Sequence, residues 1–219
     1  GILTGAGNLD PTKKGMAAGA KLFAVDYTGD FQDETINLFL NKNVTITNSS
    51  YLDGCNSGYT LASQIVDEQL YAYPTLMHVF SAGNQNGIGC GDNDYGAGNQ
   101  WGNITGGHKQ GKNSIAAANL LADATLANSS SRGPAYDGRI KPDISANGKG
   151  QESTAPFNDY QVFSGTSGAA PGIAGCLAQL THAFKSIHNG QEPASALLKT
   201  LILNSAGDLG NPGPDFKFG

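Results

Sequence analysis

The 219-residue chain carries a net charge of −5, and only 14% of it is Asp, Glu, Lys or Arg, against about 25% in an average domain. No Lys/Arg cluster stands anywhere in it, so it has no electrostatic footprint for nucleic acid, and no apolar run reaches the ~18 residues of a membrane span. Thirty-one glycines, about twice the usual ~7% share, point to one loop-rich α/β domain over 1–219 rather than to a helical bundle.

In chain order, residues 1–10 read as the tail of a helix entering a glycine-bearing loop, and Asp10-Pro11 as a turn. Lys21-Leu22-Phe23-Ala24-Val25-Asp26 reads as a strand. Residues 33–41 give a short amphipathic helix with Ile36, Leu38 and Leu40 apolar. Val44-Thr45-Ile46-Thr47-Asn48 is a second strand, rich in β-branched residues. Residues 61–71 form a helix whose Leu61, Ile65 and Leu70 face the core. Leu76-Met77-His78-Val79-Phe80 is continuously apolar apart from its histidine, the pattern of a parallel strand buried on both faces. It delivers Ser81-Ala82-Gly83-Asn84 to its C-terminal end, where open α/β sheets place their ligands. Asn84 can donate a side-chain N–H to an oxyanion, although an Asn after Gly is also an ordinary turn residue.

Residues 87–107 form a long glycine-rich loop. Its Asp92-Asn93-Asp94 offers oxygen ligands to a structural calcium ion, without EF-hand spacing, and reads equally as a solvated turn. No other cofactor is implied. Residues 113–120 are another buried strand, residues 143–146 follow Pro142 in extended form, and Asn147-Gly148 turns the chain. Residues 151–163 read as a strand pair. After Pro193 a last helix carries Leu197, Leu198, Leu201 and Ile202.

The most informative stretch is Phe163-Ser164-Gly165-Thr166-Ser167-Gly168-Ala169-Ala170-Pro171. It delivers a serine onto the start of a helix, with Pro171 expected in the first turn, where a missing N–H costs little. Ile173, Leu177, Leu180, Phe184 and Ile187 then mark one apolar face, and Gly190 a stop. A hydroxyl beside unsatisfied N–H groups at the positive end of a helix suits a nucleophile that generates an oxyanion. It also suits an ordinary helix cap. The small residues Gly168, Ala169 and Ala170 let other backbone approach this turn.

Cys55 and Cys90 lie in Gly/Asn-rich loops after strands expected to be neighbours. A disulfide between them implies an oxidising, secreted setting, and two unpaired thiols are the alternative. Cys176, inside the helix behind Ser167, reads as a small buried hydrophobe. His78 reads as a core histidine and His108 as a loop residue. His182 and His188 lie too far along the helix to reach its first turn.

Gly165-Thr166-Ser167-Gly168-Ala169-Ala170-Pro171 resembles the G-T-S-x-A-x-P nucleophile motif of the subtilisin-like serine proteases, the subtilases. Ser81-Ala82-Gly83-Asn84 resembles their A-A-G-N segment. Ser129-Ser130-Ser131-Arg132-Gly133-Pro134, with Asp137-Gly138-Arg139-Ile140-Lys141-Pro142-Asp143-Ile144, resembles their S-S-R-G-P…D-G-R-I-K-P-D-I run. The resemblance covers nearly the whole chain in family order. It implies an α/β subtilisin-like three-layer fold with a mostly parallel sheet flanked by helices, and a secreted bacterial serine endopeptidase acting on protein or peptide. Ser167 would be the nucleophile, and Asn84 with the Ser167 N–H would hold the oxyanion. Ser49, Ser50 and Tyr51, with Ser81, Ala82, Gly83 and Thr166, would bind substrate.

The family's aspartate and its H-G-T-x-V-x-G histidine motif have no match here, and Gly1 would correspond to the last glycine of that motif. The expectation is therefore a fragment beginning after the catalytic histidine and clipped near its end. Such a fragment would have a gap in its sheet and its own parent's N-terminal segment as partner. The competing class is an inactive subtilase-fold pseudoenzyme that binds protein or peptide. A nucleotide site is unsupported, because no G-x-G-x-x-G opens a helix after a strand.

Overall fold

The computed structural model describes residues 1–26, 31–55, 58–87 and 98–219. Four strands form one parallel sheet in sequential order: β1 (Ile46–Ser49), β2 (Met77–Ser81), β3 (Ile115–Leu120) and β4 (Ile144–Asn147). The register sets Ser49 opposite Phe80, and Ser81 opposite Ala117. Every residue of β2 and β3 is buried, whereas β1 and β4 are partly exposed edges.

The helices divide between the two faces. On one, α3 (Thr166–Ile187) packs across all four strands, and α4 (Ser195–Asn204) packs against α3. The core on this face joins Met77, Val79, Ile115, Ala117 and Ile144 to Ala170, Ile173, Leu177, Leu198 and Ile202. On the other face, α1 (Phe31–Lys42) and α2 (Leu61–Ala72) cover Leu76 and Phe80 through Ile36, Phe39, Val66 and Leu70. The alternation follows from the two-residue period of β2, which sends Met77 and Val79 to α3 and Phe80 to α1 and α2. Each fully buried side chain of that size contributes about 1.5–3 kcal/mol. The result is the three-layer α/β fold the sequence implies.

Beside the sheet, β5 (Gln151–Ala155) and β6 (Asp159–Phe163) form an antiparallel hairpin leading straight into α3. Its tip, a 3₁₀ turn over Pro156–Asn158, leaves Phe157 fully exposed.

Several local expectations are corrected. Residues 1–4 form a turn closed by a Gly5 N–H to Gly1 carbonyl bond of 2.7 Å, not a helix. The turn expected at Asp10-Pro11 is present, as a 3₁₀ turn over Pro11–Lys13 that Asp10 caps through the Thr12 N–H. Residues 21–26 are not a strand: Leu22, Phe23 and Val25 are exposed, and no ladder reaches them among the described residues. Propensity gives a strand only where a neighbour accepts its hydrogen bonds. Leu40, Leu61 and Ile187 point to solvent: α1 and α2 reach the core through Phe39 and Val66 instead, and the apolar face of α3 meets the core only through its earlier residues, Ile173 and Leu177 among them. Pro171 is not in the first turn. It lies six residues into α3, which begins at Thr166, so Ser167 has no i+4 N–H donor for its carbonyl. Gly190 does adopt a left-handed φ of 82°, and its N–H closes the helix end on Lys185 at 2.8 Å.

Candidate active site

The site is assembled where β2 leaves the sheet and α3 begins. The Ala82 N–H bonds the Ala117 carbonyl at 2.9 Å, which carries the parallel ladder one residue beyond the strand. The chain then turns at Gly83, whose φ is 122°. A Cβ there would lie 2.6 Å from Thr105 Cγ2 and 2.7 Å from Ser131 Oγ, so only glycine fits. Ser131 holds this turn from both sides. Its N–H donates to the Gly83 carbonyl at 2.9 Å, and its Oγ accepts from the Gln85 N–H at 3.1 Å. The serine–arginine–glycine–proline run identified in the sequence is thus a brace for the Asn84 loop.

Asn84 is fixed by α3. Its Oδ1 accepts the Thr166 N–H at 2.9 Å and the Thr166 hydroxyl at 3.2 Å. The Thr166 Oγ1 in turn accepts the Gly83 N–H at 3.1 Å. Thr166 is completely buried. The N–H of Thr166 can only donate, so the amide orientation of Asn84 follows: Oδ1 faces the helix and Nδ2 is left as a donor. The helix is therefore capped by a side chain from the β2 loop, not by its own preceding residue, which is Gly165.

Ser167 stands beside this clamp. It is half-buried, while Gly165, Thr166 and Gly168–Pro171 are all buried. Neither its hydroxyl nor its backbone N–H has a hydrogen-bond partner among the described residues. The N–H is one of the unsatisfied donors of the helix start. The close approach expected at the small residues is made by Gly148: the Gly165 N–H bonds its carbonyl at 3.0 Å, and a Cβ on Gly168 would meet that oxygen at 2.9 Å.

Ser81 and Ala82 are buried beneath the loop. Ser49 and Tyr51 are half-buried and Ser50 is exposed, all on the neighbouring strand exit of β1. All four histidines are described, and none of them hydrogen-bonds Ser167. His78 is buried between Thr47 and Gln69. His108, on the 3₁₀ turn Gly107–Gln110, bonds the Tyr51 hydroxyl through Nδ1 and stacks on Phe80, while its Nε2 is buried without a partner. Burial holds the pKa of both below the usual histidine range. His182 is exposed on α3, and His188 caps its end, stacked on Phe184.

Cys176 is a free, half-buried thiol whose pKa is raised by burial. Cys90 and Asp92-Asn93-Asp94 lie outside the described residues. Among the described residues no group of three His, Cys, Asp or Glu could hold a metal, and no helix is long and apolar enough to cross a membrane.

The sequence did not single out Thr105, Ser131 and Lys109, which tie the site together from beneath. The resemblance to the S-S-R-G-P run was the available signal for Ser131. Nothing local marks Thr105 or Lys109.

The family model described as the Subtilase family matches residues 1–219. The chain belongs to the subtilase family. Among curated proteins, this subtilase is similar to the C5a peptidase of Streptococcus pyogenes, at 36% identity over 83 residues. That match takes in 37% of this chain and 7% of the relative. Among solved structures, the prenylagaramide maturation protease PagA superposes with a TM-score of 0.63 at 19% identity, covering 86% of this chain and 62% of that one. The self-cleaved protease domain of PatA gives 0.58 at 19%, covering 79% and 58%. At this identity the two structures speak for the fold alone. The subtilase chain thus spans a small part of the C5a peptidase and about three fifths of each solved chain.

Proposed function

We propose that this chain is the serine-bearing part of a secreted serine endopeptidase. The observation that carries the reading is the pairing at the start of α3. Ser167 presents a partly exposed hydroxyl and an unpartnered N–H, next to an asparagine whose carbonyl is committed to the helix and whose NH₂ is left to donate. The Ser167 Oγ attacks the peptide carbonyl carbon, and the carbonyl oxygen becomes an oxyanion held by the Ser167 N–H and Asn84 Nδ2. Removing one such donor typically costs about 10²–10³ in rate. The hydroxyl proton passes to a base and then to the departing amine. Water hydrolyses the acyl-enzyme.

No histidine of residues 1–219 bonds Ser167, so the endopeptidase reading requires a base and an orienting residue from outside these residues. That same observation favours the second reading, a catalytically inactive subtilase fold that binds protein or peptide. The substrate edge is Ser49, Ser50 and Tyr51, whereas Ser81, Ala82, Gly83 and Thr166, also expected to bind substrate, are buried and support the site from within. We also infer a Cys55–Cys90 disulfide: Cys55 is bonded, and Cys176 is the free cysteine of the described residues. The pairing fits an extracellular setting.

Fluorophosphonate labelling, read by intact mass and peptide mapping, tests the assignment. An adduct on Ser167 supports the endopeptidase and requires that a base reaches it. A protein of unchanged mass leaves the binding reading.

A further inference from the structure

Among the described residues, the lysines and arginines drawn in from the surface have oxygen anchors, with two exceptions. Lys141 and Lys199 share the Asp143 carboxylate, at 2.5 Å and 3.1 Å. Lys13 pairs with Glu152, Lys185 with Glu192, and Arg139 with Asp137. Lys109 is fully buried, and its ammonium donates to the Tyr51 carbonyl, to Thr105 Oγ1 at 2.7 Å and to Ser81 Oγ at 3.4 Å.

The exceptions are Arg132 and Lys217, both half-buried. Neither meets a carboxylate among the described residues. The only side-chain bond of Arg132 is a long one, 3.4 Å, to Gln100 Oε1, and its Nε is buried without a partner. Partial burial holds its pKa below the usual arginine range. It is a cation that has lost water and gained no anion. Both charges stand over one ring: Arg132 Cζ lies 5.7 Å and Lys217 Nζ 5.6 Å from the centre of Trp101. A ring face attracts a cation, but two cations at one ring also repel each other. The Trp101 indole N–H has no acceptor among the described residues either.

Trp101 and Lys217 border a cleft of 380 Å³. Its apolar walls are Trp101, Ile140, Pro214 and Phe216, and its charged members are Lys217 and Asp215. Asp215 does not compensate the cations. Its Oδ1 accepts the N–H groups of Lys217 and Phe218, both at 2.8 Å, and its Oδ2 that of Asn211 at 3.4 Å. The walls are tied together by backbone. The Gly133 N–H bonds the Phe216 carbonyl at 2.8 Å, and the Gly102 N–H bonds that of Gly133 at 2.9 Å. A Cβ on Gly133 would lie 1.9 Å from the Lys141 carbonyl oxygen and 3.3 Å from Phe216 Cδ1, so only glycine lets these loops meet.

We propose that this cleft is a binding site for an apolar group that carries a carboxylate, the chemistry of a peptide chain ending in an aromatic residue or of a free aromatic acid. The apolar part fills the space between Trp101, Ile140 and Phe216. The carboxylate supplies the anion that Lys217 and Arg132 lack and an acceptor for the indole N–H. The volume is at the small end of ligand pockets and suits one amino-acid-sized group. The site is separate from the chemistry at Ser167 and holds whether or not the endopeptidase reading does.

The probes are acetyl-Ala-Ala-Phe with a free C-terminal carboxylate, the same peptide as its amide, phenylpropionate and inorganic phosphate. Trp101 is the only tryptophan of the 219 residues, so its fluorescence reports on this cleft, and calorimetry gives the affinity. The free acid is expected to shift the Trp101 emission and to bind at least about 10-fold more tightly than the amide. Phosphate, which has the charge without the apolar group, should leave the emission unchanged. Lys217→Met should weaken the acid about 10-fold and leave the amide unaffected. Arg132→Gln is the second variant and should do the same. Tighter binding by the peptide than by phenylpropionate supports the site with a chain end as its ligand, and equal binding supports it with a free acid. Equal binding of acid and amide, a match by phosphate, an unmoved Trp101 emission, or an acid preference that survives both variants overturns the assignment. Each readout is independent of labelling at Ser167, so failure here is distinguishable from failure of the endopeptidase reading.

Discussion

Acid should destabilise this fold through His78, and the amount follows from its hydrogen bonds. Gln69 Nε2 donates to the Gln32 carbonyl at 3.0 Å, which turns its Oε1 toward His78 Nε2 at 3.1 Å. His78 Nε2 therefore carries the proton, and Nδ1 accepts from the Thr47 hydroxyl at 2.6 Å. The neutral ring is fully satisfied and fully buried. Protonating it would place a charge among Phe31, Phe80 and His108. Burial, reinforced by His108 and opposed by Asp67, pushes its pKa down to about 3 from the usual 6.5. A histidine depressed in this way contributes its stability above the unfolded pKa and loses it as pH falls from 6.5 toward 3. Between pH 7 and pH 4 the loss is about 2.5 pH units below the unfolded pKa at 1.36 kcal/mol each, or roughly 3 kcal/mol. Urea unfolding of native protein and His78→Leu at the two pH values measures it. Carboxylates titrate in both proteins, so they cancel in the difference. The stability gap between native and variant should close by roughly 3 kcal/mol on going to pH 4. An unchanged gap would refute a neutral buried His78.

Three substitutions probe the rest of the structure. Thr166→Val removes the acceptor of the buried Gly83 N–H and one tether of Asn84. It should cost about 1–3 kcal/mol by urea unfolding and slow fluorophosphonate labelling of Ser167. Gly165→Ala adds a Cβ at 3.1 Å from Asn84 Nδ2 on a backbone with φ 126°. The strain should be about 1–3 kcal/mol, with labelling slowed more than by Thr166→Val, because the new methyl displaces the amide itself. Leu177→Ala empties a fully buried position between α3 and the sheet. It should lower stability by about 2–5 kcal/mol, with the labelling rate of the folded protein unchanged.

The sequence alone determined the elements whose signal is local. The continuous apolar run of β2 announced a central strand, and the +3/+4 stripe of Ile173, Leu177 and Leu180 announced α3 packed on the sheet. Gly165 to Pro171 announced a serine on a helix start. It misjudged residues 21–26, because strand propensity says nothing about whether a partner strand is alongside. It misjudged Leu40, Leu61 and Ile187, because a periodic stripe does not say where the core beneath it ends. Tertiary structure alone decided how Asn84 is used. The acceptor for the first N–H of α3 comes from a residue 82 positions earlier, a distance over which no periodicity or spacing carries information. It alone decided Lys109 as well. A His-Lys-Gln run in a glycine-rich segment reads as solvated, and only the convergence of β1, β2 and the 3₁₀ turn encloses that ammonium. Side chains that pack on their own neighbours are legible in one dimension, whereas those that bridge distant elements exist only once the chain has folded.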